Sequence, residues 1–310
     1  MIRLDSRRSI LKKSALLTAA GLFVWQRLPA LASLDGTTRL GIVADPQYAD
    51  IEVIGTRHYR QSVWKLAEAV DLFNLHKLAM CVNLGDLIDK NWSSFEAIGQ
   101  PLSQSKIPFM HVLGNHDFDV LNDEKEKVPA KLGLKDRFFS IESNQWCFVF
   151  LDTTDVSLYA QSQENPNSAA ARVEMERCAQ LGSTSVKPWN GAVSSKQLEW
   201  FDKTCQNAAV QQRKVIVFAH HPALPIAEHN AWNSCEITNV VVRNKNVVAW
   251  MNGHNHAGDF AMLEGVPFIT MQGMVETEKT NAYALLTLLP DRMILEGYGR
   301  EISREIQFRS

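Results

Sequence analysis

Leu40-Gly41-Ile42-Val43-Ala44-Asp45-Pro46-Gln47 is an apolar run that stops on a carboxylate. Read as a strand over residues 40–44, it delivers Asp45 and Gln47 to the loop just past its end. The same arrangement recurs along the chain. Met80-Cys81-Val82-Asn83-Leu84 ends on Gly85-Asp86, and Phe109-Met110-His111-Val112-Leu113 ends on Gly114-Asn115-His116-Asp117. Residues 214–219 lead into His220-His221-Pro222, and residues 246–252 into Gly253-His254-Asn255-His256. In layered α/β folds, ligands bind where loops converge at the carboxyl ends of strands. Strand ends that carry acid, amide and imidazole groups therefore imply one convergent site.

Between these strands the periodicity turns helical. Residues 59–76 put Val63, Leu66, Ala67, Val70, Leu72 and Phe73 on a broad apolar face. Residues 93–103 read as a second helix, and Ser194-Ser195-Lys196-Gln197 as the capped start of a third. More strands are expected at 138–142, 146–151, 260–263, 268–271, 282–288 and 293–297. Residues 153–192, polar and rich in alanine, read as irregular. Strand sets toward both ends of the chain point to an α/β architecture of two sheets packed face to face with helices outside. One domain is expected over residues 36–310.

The chain has 310 residues, 45% hydrophobic and 21% charged, enough for one substantial core. Its formal net charge of −2 gives no reason to expect a nucleic-acid polymer as partner. Asp123 to Lys127 mixes charge signs and reads as a solvated loop. Residues 1–32 stand apart from the fold. Arg7-Arg8 precede an apolar run over 15–25, and Ala30-Leu31-Ala32 has the small residues that a signal peptidase needs. That run falls short of the about 20 residues that span a bilayer. Residues 1–32 are therefore expected to be a twin-arginine-type signal peptide, passed to the twin-arginine export machinery, with the mature protein periplasmic or secreted. A retained N-terminal anchor is the other reading. The cysteines, Cys81, Cys147, Cys178, Cys205 and Cys235, show no metal-site spacing. Cys81 and Cys147 lie in strand-like runs and read as buried small hydrophobes.

Taken singly, the polar motifs say little. An Asp after a strand is usually a turn residue, and His58, His76, His111 and His229 read as packed or surface histidines. In order and in context they say more. Phosphoryl transfer needs a positioned nucleophile and positive charge against the phosphate oxygens, and two metal ions supply both. Such a pair needs oxygen and imidazole donors and a carboxylate that can bridge. The strand ends supply that set without a cysteine.

The order Asp-x-Gln, Gly-Asp, Gly-Asn-His-Asp, His, Gly-His-x-His resembles that of the calcineurin-like metallophosphoesterases, over nearly all of the chain past residue 36. The resemblance implies a four-layer αββα sandwich of two mixed sheets, and two divalent metal ions. It places Asp45, Gln47, Asp86 and His256 on the first ion, with Asp86 bridging, and Asn115, His220 and His254 on the second. His116 would be catalytic, beside the phosphate, and His221 would have no ligand role. Position 47 narrows the match. Most members have His there, whereas a Gln amide oxygen is a harder donor that favours Mn²⁺ or Mg²⁺ over Zn²⁺; Mn²⁺ is the expected ion, with Mg²⁺, iron and Zn²⁺ as alternatives. Gln is also typical of the manganese-dependent ADP-ribose/CDP-alcohol diphosphatases. Residues 44–50 and 55–60 are similar to that group, as are Trp189-Asn190-Gly191-Ala192, Ala231-Trp232-Asn233, Gly273-Met274-Val275-Glu276-Thr277 and Gly297-Tyr298-Gly299-Arg300.

The activity so implied is hydrolysis of phosphoanhydride or phosphodiester bonds in small nucleoside diphosphate-linked substrates such as ADP-ribose or CDP-alcohols. Arg57, Tyr59 and Arg60 are candidates for the distal phosphate, with an exposed basic helix start as the alternative. His229 and Asn233, after the fourth motif, are candidates for the pocket wall. The competing functions are a phosphomonoesterase or cyclic-nucleotide phosphodiesterase on the same site, and a scaffold without catalysis. The last would be expected to have lost ligands or the near-phosphate histidine, and all are present.

Overall fold

The structure, a computed structural model, describes residues 36–162 and 165–309; the expected signal peptide lies outside them. In chain order the elements are β1 (Thr38–Val43), α1 (Ser62–Asn74), β2 (Met80–Asn83), α2 (Ser94–Ser103), β3 (Phe109–His111), α3 (Val128–Lys131), β4 (Phe139–Ser143), β5 (Trp146–Phe150), β6 (Val156–Ser157), α4 (Pro166–Gln180), β7 (Gly191–Ala192), α5 (Ser195–Val210), β8 (Lys214–Phe218), α6 (Ser234–Arg243), β9 (Val247–Asn252), β10 (Asp259–Leu263), β11 (Val266–Thr270), β12 (Ala282–Leu288), β13 (Arg292–Gly299) and β14 (Arg304–Gln307).

Two six-stranded sheets result, ordered β14-β13-β12-β1-β2-β3 and β10-β11-β9-β8-β5-β4. Each has a parallel centre and antiparallel flanks: β1, β2 and β3 run parallel, as do β5, β8, β9 and β11, while β12 and β4 pair antiparallel to their neighbours. Strands covered on both faces need no polar residues, so they read as continuous apolar runs. β5 shows why. Trp146, Phe148 and Phe150 enter the core between the sheets with Leu40, Ile42, Ile216 and Met251, while Cys147 and Val149 face Phe201 of α5 and Ile237 and Val241 of α6. The other sheet is covered by Leu66, Val70 and Phe73 of α1 and Phe95 and Ile98 of α2, which pack on Cys81 and Leu285. The four layers are the αββα sandwich that the family resemblance implied.

α1 and α2 lie where the periodicity placed them, a 3₁₀ turn over Tyr59–Gln61 leading into the first. The Ser194 hydroxyl caps α5 by accepting from the Gln197 amide at 3.3 Å. The expectation for 153–192 fails in part. The segment carries the two-stranded β6–β7 ribbon and the fifteen-residue α4. Among the described side chains, α4 buries Ala171 and Cys178 against Trp232 and leaves Val173 exposed, so its inner face is too small to give an apolar stripe in the sequence. β14 was also missed, because it alternates partly buried and exposed residues and buries none fully. The five cysteines are free thiols, with Cys81 and Cys147 buried as expected.

Candidate metal centre

β1, β2 and β3 run parallel in one sheet and β8 and β9 in the other, and the side chains just past their carboxyl ends meet at one edge of the sandwich. Asp45, Gln47, Asp86 and His254 all have left-handed backbones, with φ of 51°, 44°, 53° and 69°. Non-glycine residues held there are strained, and such strain gathers where the surroundings fix a functional geometry. The motif glycines answer to the same crowding. A Cβ on Gly253 would lie 2.5 Å from Asp45 Oδ2, and one on Gly114 would overlap the Asp86 carboxylate and amide.

Two overlapping sets of side chains share Asp86. In the first, Gln47 Nε2 lies 2.9 Å from Asp86 Oδ2 and 3.1 Å from His256 Nε2, and His256 Nε2 lies 3.6 Å from Asp45 Oδ1. In the second, His220 Nε2 lies 3.0 Å from Asn115 Oδ1, 3.3 Å from Asp86 Oδ2 and 3.2 Å from His254 Nδ1. These are the seven residues named as ligands from the sequence. Asp45, Gln47, Asp86 and His220 are buried essentially completely.

The hydrogen bonds behind the imidazoles settle which nitrogens face inward. His220 Nδ1 donates to the Leu84 carbonyl at 2.9 Å, leaving Nε2 toward the site. Asn190 donates through Nδ2 to the carbonyls of Ser185 and Glu228, so its oxygen, 2.8 Å from His254 Nε2, must accept from that nitrogen. His254 therefore presents Nδ1. At His220 Nε2, the inward atoms of Asn115, Asp86 and His254 are all acceptors. That point demands a positive charge, which either a proton or a cation supplies. Burial lowers the His220 pKa, yet Asp86 and Asp45 prevail and push it up to about 9. His256 behaves alike, burial opposing and Asp45 and Glu276 raising it to about 9. Burial raises Asp86, but His220 and His116 hold it well below the usual carboxylate range. The Gln47 amide turns Nε2 to Asp86 and His256 and leaves Oε1 buried without a hydrogen-bond partner; with the amide turned over, that oxygen would join the donor set. The donor set, its negative potential and this unpaired oxygen fit divalent cations.

His116 lies at the mouth with its Nδ1 3.1 Å from Asp89 Oδ1. Burial lowers its pKa, but Asp86 and Asp89 outweigh that and raise it. Asp117 closes the loop beneath: Oδ1 accepts from the amides of Leu87 and Ile88, and Oδ2 from those of Asp86 and Gly114. His221 receives no open role, its Nδ1 bonded to the Thr153 hydroxyl at 2.7 Å.

Residues 38–258 match the calcineurin-like phosphoesterase family. The chain belongs to that family. As a calcineurin-like phosphoesterase it is a metal-dependent hydrolase of phosphoric esters. Manganese-dependent ADP-ribose/CDP-alcohol diphosphatases resemble the phosphoesterase over most of its length. The Homo sapiens protein is 26% identical, covering 89% of this chain and 95% of its own. The Arabidopsis thaliana protein is 28% identical, covering 86% and 96%. A dimetal phosphatase from Danio rerio has the same fold, with a TM-score of 0.79 and 24% identity over 88% of this chain and 99% of its own.

Of the residues expected at the substrate, Arg57 and His229 lie at the phosphoesterase site. Arg57 acts electrostatically on His116, His256 and His229, and the His229 ring is 5.6 Å from that of His254. The others are engaged elsewhere. Arg60 pairs with Asp50 and Glu52 at the surface, and Tyr59 is buried with Ala49 and Val275. Asn233 donates to the Val193 carbonyl and accepts from its amide. Sequence reasoning passed over Asp89, Asn190 and Glu276 as site residues. Asn190 and Glu276 lay inside segments already similar to the diphosphatases, and Asp89 stood three residues past Asp86.

Proposed function

We propose that the protein is a two-metal diphosphatase that hydrolyses nucleoside diphosphate-linked small molecules of the ADP-ribose or CDP-alcohol kind, with Mn²⁺ as its working ion. The observation that carries this reading is Gln47 in the first donor set, in a chain similar over most of its length to manganese-dependent diphosphatases. Asp45, Gln47, Asp86 and His256 would hold one ion; Asn115, His220 and His254, with Asp86 shared, would hold the other. Ions bound there supply positive charge against the phosphate oxygens and acidify the attacking water.

The chain's own groups do the rest. Asp89 accepts from His116 Nδ1, which orients the ring. With its pKa raised, His116 keeps a proton on Nε2 and gives it, or a hydrogen bond, to the oxygen that gains charge as the P–O bond breaks. Arg57, with no ion pair among the described residues, takes the second phosphate. Residues 1–32 direct export, and residues 36–310 act as one domain in the periplasm or outside the cell; N-terminal sequencing of the exported protein, showing a start at Ser33, would support this.

The test is hydrolysis by metal-stripped protein with Mn²⁺, Mg²⁺ or Zn²⁺ restored. Mn²⁺-dependent release of AMP from ADP-ribose is the expected result. Turnover confined to p-nitrophenyl phosphate or cyclic AMP would overturn the diphosphatase reading and keep the metal site.

A further inference from the structure

The three imidazoles of the metal centre differ in what stands behind them. His220 donates to a carbonyl and His254 to an amide oxygen, both neutral acceptors. His256 alone donates to a carboxylate, its Nδ1 lying 2.8 Å from Glu276 Oε1. Both side chains are largely buried, at 9% and 15% exposure. An ionised carboxylate only accepts, so a proton sits on His256 Nδ1, and Nε2 is the nitrogen left to give a lone pair to an ion. That nitrogen faces Gln47 and Asp45.

Glu276 comes from a loop outside the five strand-end motifs, and the loop is anchored from several directions. The amides of Met274 and Val275 donate to the carbonyls of Ala44 and Asp45, at the end of β1. Lys65 of α1, fully buried, donates to the carbonyls of Met274, Glu276 and Thr277 at 2.9, 2.8 and 2.6 Å. Arg300 holds the Gly273 carbonyl at 2.5 Å. Gly273 itself lies so close to His256 that a Cβ would stand 2.6 Å from the ring. A buried lysine whose three donors all go to one loop sets that loop's height above the histidine.

We propose that Glu276 is a positioning residue for the first donor set. Its carboxylate fixes the Nδ1–H tautomer of His256 and makes Nε2 a stronger donor, which offsets the weak amide donor Gln47, and Lys65 holds it in register. Carboxylates behind metal-bound imidazoles orient the ring and raise its basicity. The effect matters most where the companion ligand is a neutral amide.

The inference rests on the two-metal reading, and the test separates the two. Mn²⁺ binding to metal-stripped wild type, Glu276→Gln, Glu276→Ala and Lys65→Met is measured by calorimetry. Apo melting curves and the Mn²⁺ dependence of bis(p-nitrophenyl) phosphate hydrolysis are recorded beside it. Glu276→Gln keeps an acceptor of the same shape and loses the charge, so the site of the first donor set should fall in affinity by about 10-fold. Glu276→Ala loses both, and about 10- to 100-fold is expected. The second site should keep its affinity, and excess Mn²⁺ should restore most of the Glu276→Gln turnover. Lys65→Met should shift the same site as Glu276→Gln does. Wild type that binds two ions while both Glu276 variants match its isotherm would overturn this inference alone, as would a lowered apo melting point with unmoved Mn²⁺ affinity. Wild type that binds no Mn²⁺ would sink the metal reading and this inference with it. Failure to cleave ADP-ribose would touch neither.

Discussion

Asp86 is where the chemistry of the site is most concentrated. It belongs to both donor sets, its backbone is left-handed, and its Oδ1 accepts from the His116 amide at 2.7 Å. Asp86→Asn keeps the shape and the accepting oxygen but removes the charge that draws cations to both sets. Charge stabilisation by metal is worth several kcal/mol at a phosphoryl centre, so turnover should fall about 10³-fold or more. The melting point of the apo protein should fall, since Asp86 accepts from Gln47 and the His116 amide and lies beside His220, whose buried positive charge would lose its counter-charge. Steady-state assays with saturating Mn²⁺ check the first point, and circular dichroism melts the second. Wild-type turnover would remove Asp86 from the bridging position. Much of this was legible in the sequence, because Asp86, Asn115, His220 and His254 each follow an apolar run that could only be a buried strand. Asn190 and Glu276 were not, since what they do depends on tertiary packing that places them behind histidines far away along the chain.

At the level of elements, sequence and structure agree where a strand or helix buries large side chains and part where it buries small ones. β5 and α1 announced themselves through Trp146, Phe148, Leu66 and Phe73; α4, with Ala171 and Cys178 inside, did not. Yet the segment carrying α4 reaches the metal centre through Asn190, which bonds Ser185, Glu228 and His254 at once while wholly buried. Asn190→Ala leaves those groups unpaired. A loss of about 3 kcal/mol in urea unfolding is expected; an unchanged midpoint would show that the segment is held by other contacts. β3 makes a second prediction. His111, opposite Asn83 of β2, is buried, and burial pushes its pKa down to about 4. Between pH 6.5 and 4 the unfolded chain therefore binds a proton that the folded chain refuses, and stability falls as pH falls. The slope approaches 1.36 kcal/mol per pH unit, about 3 kcal/mol across the window. His111→Gln cannot titrate, so its unfolding free energy should depend less on pH there by that amount. Parallel pH profiles for the two proteins would count against the assignment.

Across the whole molecule, the site is divided between the two sheets. Asp45, Gln47, Asp86 and Asn115 follow strands of the β1 sheet, while His220, His254 and His256 follow strands of the β8 sheet. Ions bound at the shared edge would thus join the sheets as well as serve the chemistry. Without them, the sheets are held at that edge by contacts such as His220 Nδ1 to the Leu84 carbonyl and the His254 amide to Asp45. They must also hold Asp45 and Asp86 close together in the interior. A cation neutralises those charges and binds only the assembled pair of sheets, so its binding energy adds to folding. Mn²⁺ at 100 times its dissociation constant adds about 2.7 kcal/mol. For a domain of this size that is a rise in melting temperature of roughly 5 °C or more. Melts of EDTA-treated protein against protein refilled with Mn²⁺ measure it, and Asp86→Asn should lose most of the rise. Because both sheets contribute ligands, the gain should appear as a later single transition. An early transition that ignores Mn²⁺, followed by one that responds, would mean that the ions are held within one sheet and do not join the two.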